Sequence, residues 1–154
     1  MKFKLSEIEQ IVNGSAILSQ DAVIDEYVYD SRKFGFSENA MFLAIKTTGN
    51  DGHLFISDMM KKGIRNFMVQ EIPSIEDVEG CNFIKVPNTL QAFQELAGHV
   101  RSISQLKAVG ITGSNGKTVV KEWLAEMLKN TWNVVKTPHS YNSQLGVPIS
   151  LMQI

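Results

Sequence analysis

The sequence predicts an α/β protein with two parts. One is a small amino-terminal α/β domain in residues 1–104, and the other is the first βαβ part of a mononucleotide-binding domain in residues 105–154. Two observations support this prediction. Short β-branched apolar runs alternate with segments whose apolar residues recur every three or four positions. In addition, a glycine-rich turn at residues 110–118 separates an apolar run from an amphipathic segment, which is the order of a P-loop.

The composition is typical of an ordinary globular protein, with 44% apolar and 20% charged residues. The formal net charge of −1 argues against broad nucleic-acid binding, which needs a basic face. The one cysteine, Cys81, cannot form an internal disulfide, and the first residues lack the apolar core of a signal peptide. No apolar run approaches the roughly 20 residues of a membrane span. We therefore expect a cytoplasmic protein that does not bind membranes.

The leading part is predicted to begin with a short helix. Its apolar face combines Leu5, Ile8 and Val12, and Ser6 with Glu9 has the spacing of a capping box. Further strands and helices then alternate. The predicted strands are 23–29, 40–45, 64–69 and 82–86, and the predicted helices are 54–62 and 89–101.

The second part is predicted as a strand at 107–111, the glycine-rich turn, a helix to residue 129, and a second strand at 133–136. Trp123 and Met127 fit the core-facing side of that helix. A loop at 137–145 and the start of another helix follow. One βαβ unit cannot complete a parallel sheet that is covered on both faces. We therefore expect residues 105–154 to be the beginning of a domain within a longer protein.

The glycine-rich turn is predicted to bind ATP. Small residues allow backbone N–H groups to surround phosphates at a helix N-terminus, where the helix dipole adds positive charge. The lysine would reach the β- and γ-phosphates and serve catalysis, and the threonine hydroxyl would hold Mg²⁺. Ile111 stands where the general P-loop pattern has its first glycine. The predicted ATP-binding residues are Gly113, Ser114, Asn115, Gly116, Lys117 and Thr118, with Thr118 as the metal ligand.

Three other polar stretches follow predicted strands. Asp30-Ser31-Arg32 has groups suited to phosphate or carbonyl oxygens, although a turn with a solvated arginine is the more common explanation of such a tripeptide taken alone. The turn that contains residues 48–53 could bind a ligand, or Asp51 could merely cap the next helix. Asn142 lies in the loop after the second strand of the P-loop unit and could face the phosphates. The three histidines are scattered and give no zinc-site spacing.

Taken together, these stretches resemble the Mur ligases, which build the peptide stem of bacterial peptidoglycan. The family's ATP loop reads Gly-x-Thr-Gly-[Thr/Ser]-x-Gly-Lys-Thr, which residues 110–118 match, including the displaced first glycine. Residues 30–32, 41–46 and 51–53 look like the family's amino-terminal UDP-binding domain. Residues 140–148, Ser-Tyr-Asn-Ser-Gln-Leu-Gly-Val-Pro, are similar to the member that adds D-alanyl-D-alanine, in the form fused to an alanine racemase.

The resemblance implies an ATP-dependent amide ligase. ATP would phosphorylate the terminal carboxylate of UDP-N-acetylmuramoyl-tripeptide, and the amine of D-alanyl-D-alanine would attack the acyl phosphate. Asn142 would lie near the metal and the reacting carboxylate, as a second catalytic residue beside Lys117. The family's remaining central-domain residues and its carboxy-terminal domain are missing from residues 1–154, so we expect no ligation by this chain alone. By the same resemblance, the residues that hold the UDP part would be Ser31, Arg32, Thr48, Gly49 and Asn50.

Two alternatives remain open. The ligase that adds a diamino acid as third stem residue shares the Asp-Ser-Arg and Asp-Gly features. Its loop after the second central strand usually begins Thr-Thr-Pro, of which this chain keeps Thr137-Pro138. The chain could also be a nucleotide-binding module without catalysis, although the intact Gly116-Lys117-Thr118 argues against that for the parent protein. A P-loop kinase or GTPase would place the loop after its first strand rather than after about a hundred residues.

Overall fold

A computed structural model describes residues 1–32, 37–74, 78–138 and 143–154. The chain forms two compact units, Met1–Leu96 and Ala97–Ile154. The division falls inside a helix that continues to Ile103. The predicted domain boundary at residues 104 and 105 stays a prediction.

The leading unit combines helices with a sheet in which most strands run parallel, so the α/β class is confirmed. Among the described residues, the helices are Leu5–Ile11 (α1), Ile56–Lys61 (α2), Thr89–Ile103 (α3), Lys117–Leu128 (α4) and Gly146–Leu151 (α5). The strands are Phe3–Lys4 (β1), Ser15–Ile17 (β2), Val23–Ile24 (β3), Glu26–Val28 (β4), Ala40–Leu43 (β5), Asn66–Val69 (β6) and Asn82–Lys85 (β7). None of the helices in the described ranges is long and apolar enough to cross a lipid bilayer.

The main sheet of the leading unit has the strand order β2-β7-β6-β5-β4 in the described residues. Strands β4 to β7 run parallel, and β2 pairs with β7 in the antiparallel direction at one edge. Every residue of β5 and β6 is buried, which explains why β5 and the last three residues of β6 are continuous apolar runs in the sequence. The predicted strand at 23–29 is divided in two, because β3 pairs with β1 while β4 joins the main sheet.

Aromatic side chains fill the core on one face of this sheet. The ring centroids of Phe67 and Phe83 lie 5.3 Å apart and stack, and Phe42 meets Phe67 edge-on at 6.4 Å. Ile56 and Met59 of α2 belong to the same buried cluster. Burial of these side chains contributes the largest stabilising free energy available to the unit, roughly 2 kcal/mol for each large apolar side chain. This packed core therefore keeps the strands, including their ends, in fixed positions relative to one another.

The predicted capping box at the first helix is wrong. The N-cap of α1 is Lys4, and the carboxylate of Glu7 accepts a hydrogen bond from the Lys4 backbone N–H at 2.7 Å. Ser6 instead donates from its hydroxyl to Asp21 at 2.9 Å, and Glu9 accepts from a backbone N–H of β2. Both side chains therefore form hydrogen bonds with residues outside α1 instead of capping the helix.

The second unit confirms the helix after the glycine-rich turn but not the strands beside it. Residues 107–111 and 133–136 carry no strand assignment, and nothing in the described part of the chain pairs with them. A parallel strand exists only through hydrogen bonds to its neighbours, so an apolar run without a paired neighbour stays irregular. Trp123 and Met127 are 69% and 77% exposed, so the predicted core position of these two side chains is also wrong.

Candidate functional site

The polar motifs of the leading unit lie at neighbouring carboxyl ends of parallel strands. Residues 30–32 follow β4, the turn at 46–51 follows β5, and Gln70 follows β6. Because β5 pairs with both β4 and β6, these three strand ends are adjacent along one edge of the sheet. Open α/β sheets bind their ligands at that edge. The structure thus brings Ser31, Arg32, Thr48, Gly49 and Asn50 to one side of the unit.

Arg32 is held by its neighbour Asp30. The guanidinium donates from Nε and Nη2 to the two carboxylate oxygens at 2.9 and 3.0 Å, and the backbone N–H of Arg32 donates to the same group at 3.1 Å. This carboxylate raises the pKa of the Arg32 guanidinium, whose side chain is 85% exposed. The paired guanidinium is therefore oriented while its remaining N–H groups stay open to a ligand.

Lys62 is a residue of this site that sequence reasoning missed. Its ammonium donates to the backbone carbonyl of Ser31 at 2.5 Å, although the two residues are 31 positions apart. The contact places a second cation beside Ser31 and Arg32. No motif pointed to Lys62, since it is one of two consecutive lysines at the end of α2.

The turn after β5 is closed by its own hydrogen bonds. The backbone N–H of Thr47 donates to the carbonyl of Asn50 at 2.8 Å, and Lys46 pairs with Asp51 as an isolated antiparallel bridge. Thr48, Gly49 and Asn50 form the exposed tip. Gly52 is required by close approach, because a Cβ atom there would lie 2.7 Å from the Ile45 backbone nitrogen.

His53 joins this turn to the end of β6. Its Nδ1 lies 2.6 Å from Oδ1 of Asp51, and its Nε2 accepts from the backbone N–H of Gln70 at 2.9 Å. The Asp51 carboxylate also accepts from the His53 backbone N–H at 3.0 Å, which confirms that Asp51 caps a helix, here the short 3-10 helix Gly52–Phe55 that leads into α2. That backbone hydrogen bond is the main cause lowering the pKa of Asp51 to about 2. These residues line a cleft of about 240 Å³ together with Lys46, Glu71 and Ile72.

The predicted ATP loop lies directly before α4. Gly116 is the N-cap residue and has φ 77°, and Gly113 has φ 149°, both in the region that favours glycine. The ammonium of Lys117 donates to the carbonyl oxygens of Gly113 at 2.5 Å and Ser114 at 3.3 Å. Lys117 therefore folds back across the loop rather than pointing away from it.

The amino end of α4 has the properties of an anion site. Its helical hydrogen bonds begin with the N–H of Val120, which donates to the carbonyl of Gly116 at 2.9 Å. The N–H groups before Val120 in the helix have no intrahelical acceptor, and the N-cap residue Gly116 has no side chain that could accept from them. Residues 112–120 are all exposed. A polyphosphate can therefore reach these N–H groups, the Lys117 ammonium and the Thr118 hydroxyl.

Thr118 offers the kind of ligand that Mg²⁺ accepts. It supplies one hard oxygen beside the loop, and Mg²⁺ usually combines one or two protein ligands with phosphate oxygens and water. No group of three His, Cys, Asp or Glu side chains that could hold a metal occurs in the described ranges. The residues present thus fit a magnesium ion that is held mainly by a nucleotide and in part by Thr118.

Asn142 lies outside the described residues, so its predicted catalytic position stays a prediction. Thr137 is attached to α4, because the ammonium of Lys121 donates to its carbonyl at 2.7 Å. Glu122 pairs with Lys136 and Lys121, which lower the pKa of its carboxyl. Sequence reasoning missed this attachment, since lysines spaced along a helix usually indicate a solvated face.

The comparison with family models matches residues 111–154 to the Mur ligase middle domain. Over the whole chain, the sequence is 34% identical across 156 aligned residues to the UDP-N-acetylmuramoyl-tripeptide–D-alanyl-D-alanine ligase of Buchnera aphidicola subsp. Acyrthosiphon pisum, of which it covers 32%. It is also 36% identical over 137 residues, 86% of the chain, to the UDP-N-acetylmuramoyl-L-alanyl-D-glutamate–2,6-diaminopimelate ligase of Clostridioides difficile, of which it covers 27%.

Solved structures agree with these relatives. MurF from Acinetobacter baumannii matches all of the chain with a TM-score of 0.87 and 26% identity, and 33% of that protein is covered. MurF ligase from Thermotoga maritima in complex with ADP matches 82% of the chain with a TM-score of 0.68 and 30% identity, over 28% of its own length. The chain thus spans about a third of the length of the relatives that it matches. On the sequence motifs, the fold and these matches together, the chain belongs to the Mur ligase family.

Proposed function

We propose that this chain supplies the UDP-muramoyl-peptide-binding unit and the ATP loop of a ligase that adds D-alanyl-D-alanine to UDP-N-acetylmuramoyl-tripeptide. The observation that carries the proposal is the loop at residues 113–118, where Gly116 in the left-handed region places Lys117 at the first residue of α4. The relative from Buchnera, whose name gives this activity, aligns with the whole chain. The solved structure of the Thermotoga relative is a complex with ADP, which supports the proposed nucleotide binding.

In the proposed site, backbone N–H groups of the loop bind the ATP phosphates and Lys117 exchanges its contacts with Gly113 and Ser114 for phosphate oxygens. This exchange strengthens the hydrogen bonds of the Lys117 ammonium, because its present acceptors are neutral carbonyls whereas phosphate oxygens are charged. Thr118 contributes a ligand to Mg²⁺, which when bound neutralises phosphate charge. Lys117 stabilises the negative charge that spreads over the transferred phosphoryl group.

The proposed reaction has two steps. The terminal carboxylate of the tripeptide attacks the γ-phosphorus of ATP, which forms an acyl phosphate and releases ADP. The amine of D-alanyl-D-alanine then attacks the acyl carbon, the C–O bond to phosphate breaks, and the amine loses a proton as the amide forms. Asn142 is proposed to orient the carboxylate.

The leading unit is proposed to bind the UDP part of the substrate. Arg32 is oriented by Asp30 and can direct its free N–H groups at diphosphate oxygens, while Ser31 offers a hydroxyl beside it. Thr48, Gly49 and Asn50 present exposed backbone groups from the adjacent strand end. Lys62, which contacts the carbonyl of Ser31, adds positive charge to the same place.

Titration calorimetry of the chain with Mg-ATP tests the nucleotide half of this proposal. Lys117→Ala should weaken binding about tenfold or more, because a hydrogen bond to a charged group contributes roughly 1.5–3 kcal/mol. Lys129→Ala, at the opposite end of the same helix, is the control and should leave binding unchanged. Equal affinity of Lys117→Ala and the unchanged chain would overturn the phosphate role.

The diamino-acid-adding ligase remains the second candidate, and the match to the Clostridioides difficile relative favours it. The full-length protein, assayed with Mg-ATP, distinguishes the two. Amide formation from UDP-N-acetylmuramoyl-tripeptide and D-alanyl-D-alanine supports the first. Amide formation from the corresponding dipeptide and diaminopimelate would overturn it in favour of the second, and binding without either product would indicate a non-catalytic module. The cytoplasmic location and the fused racemase stay predictions.

A further inference from the structure

We propose that His53 is a positioning residue whose neutral imidazole fastens the turn at residues 46–51 to the end of β6, and that protonation of the ring releases this turn. The hydrogen-bonded set of Asp51, His53 and Gln70 is called the His53 clamp below. The consequence for substrate rests on the proposed function, in which the tip of this turn contacts the UDP part.

The clamp uses both ring nitrogens in different ways. Nε2 accepts from the backbone N–H of Gln70 at 2.9 Å, so this nitrogen carries no proton. The ring proton is therefore on Nδ1, which donates to Asp51 at 2.6 Å. Only the neutral Nδ1–H tautomer satisfies both contacts at once.

The clamp is a tertiary attachment of the turn, in addition to the hydrogen bond from the Gly52 N–H to the Ile45 carbonyl at 2.9 Å that closes the base of the turn after β5. Asp51 pairs with Lys46 across the base of the turn, and its carboxylate also lies 3.3 Å from the Lys46 ammonium. The tip, residues 48–50, is fully exposed. His53 is only 17% exposed, and it connects Asp51 to Gln70, which follows a neighbouring strand. The clamp thus joins the base of the turn to the segment after β6, and we expect the orientation of the tip to depend on it.

Protonation would break the clamp at one end. A proton on Nε2 would point at the Gln70 N–H, so two donors would face each other across 2.9 Å and the contact could not persist. The Asp51 contact would remain, since that carboxyl has a pKa of about 2 and stays ionised at pH 5. Among the described residues that line this cleft, the other charged groups are Lys46, from the turn, and Glu71, from the segment after β6. Histidine is the side chain that ordinarily changes charge between pH 5 and 8.

The first test needs no ligand. In the ¹⁵N-labelled chain, two-bond ¹H–¹⁵N correlations at pH 7.5 should show the Nδ1–H tautomer of His53. The protection factor of the Gln70 amide, corrected for the intrinsic exchange rate at each pH, should fall roughly 3- to 10-fold between pH 7.5 and 5.5. His53→Gln offers an amide that can accept from Gln70 and donate to Asp51 without titrating, and should remove this pH dependence. His99→Gln, on α3, should keep it.

The second test measures binding of UDP-N-acetylmuramoyl-tripeptide, whose diphosphate is esterified at both ends. The chain should bind roughly 3- to 10-fold more weakly at pH 5.5 than at pH 7.5, and His53→Gln should bind equally at both. His53→Phe, which fills the space without either hydrogen bond, should bind weakly at both. Rescue by Gln but not Phe separates positioning from packing.

The outcomes distinguish the two proposals. A constant Gln70 protection factor, or the Nε2–H tautomer, would overturn the clamp whatever the substrate does. Failure of the chain to bind the UDP substrate at either pH would overturn the proposed function of this unit, while the exchange experiment would still decide the clamp.

Discussion

The side-chain amide of Asn82 donates to the side-chain oxygen of Asn66 at 2.8 Å, between two neighbouring buried strands. Asn66 in turn donates to the carbonyl of Ala40, and the Asn82 oxygen accepts from the backbone N–H groups of Ser19 and Gln20. The two amides lie at the start of β6 and β7, opposite the strand ends that carry the proposed site. They fasten the connection between β2 and β3 to the sheet.

Replacing Asn82 by alanine should destabilise the leading unit. The change removes the donor to the buried Asn66 oxygen and the acceptor of two backbone N–H groups, which should lower the free energy of unfolding by about 2 kcal/mol. Urea unfolding measures this. Asn130→Ala, on the surface of the second unit, is the control, and an equal small effect of both variants would contradict the importance of the pair.

Gly52→Ala should destabilise the turn after β5. Its Cβ would approach backbone atoms of Ala44 and Ile45 within 2.7–2.9 Å, and overpacking of this kind costs roughly 1–3 kcal/mol. Thermal unfolding of the chain measures the loss. Gly49→Ala is a matched control three residues earlier, since a Cβ there meets nothing within 4 Å. If both variants melt at the same temperature as the unchanged chain, the close approach does not constrain the turn.

Lys62→Ala should weaken binding of UDP-N-acetylmuramoyl-tripeptide. The substitution removes a cation beside Ser31, and the loss of one charged hydrogen bond predicts a decrease of roughly tenfold in affinity. Calorimetric titration at low and high salt measures it, and added salt should narrow the difference. Lys61→Ala, whose ammonium faces Asp58 on the same helix, should bind normally. Normal binding by Lys62→Ala would remove Lys62 from the site.

Asp51→Asn should cost stability at neutral pH and cost nothing in strong acid. The folded state lowers the pKa of Asp51 from 3.8 to about 2, so the carboxylate contributes stability that is fully present above about pH 4. This contribution is lost as the pH falls through 2. The free energy of unfolding of Asp51→Asn and of the unchanged chain, measured from pH 7 to 2, should therefore differ less as the pH falls. A difference that does not depend on pH would contradict the lowered pKa of Asp51.

Much of the fold could be predicted from the sequence because its signals are local. The buried strand β5 appears as an apolar run, as do the last three residues of β6, and Asn88 caps α3 by accepting from the Gln91 N–H at 3.0 Å. The helix after the glycine-rich turn follows from its periodicity. The strand predictions beside that helix were wrong because a strand needs a paired neighbour, which periodicity cannot reveal.

The candidate site likewise has some features that the sequence predicts and others that only the tertiary structure shows. The sequence by itself determined which residues form the proposed ATP loop and the two motifs at the strand ends, because each is a short pattern with a chemical reason for its residue types. Only the tertiary structure decided that Lys62 meets Ser31, that Lys121 holds Thr137, and that His53 accepts from Gln70. These contacts join residues 31, 16 and 17 positions apart. Such contacts depend on how strands and helices are placed in space, and no local pattern records that placement.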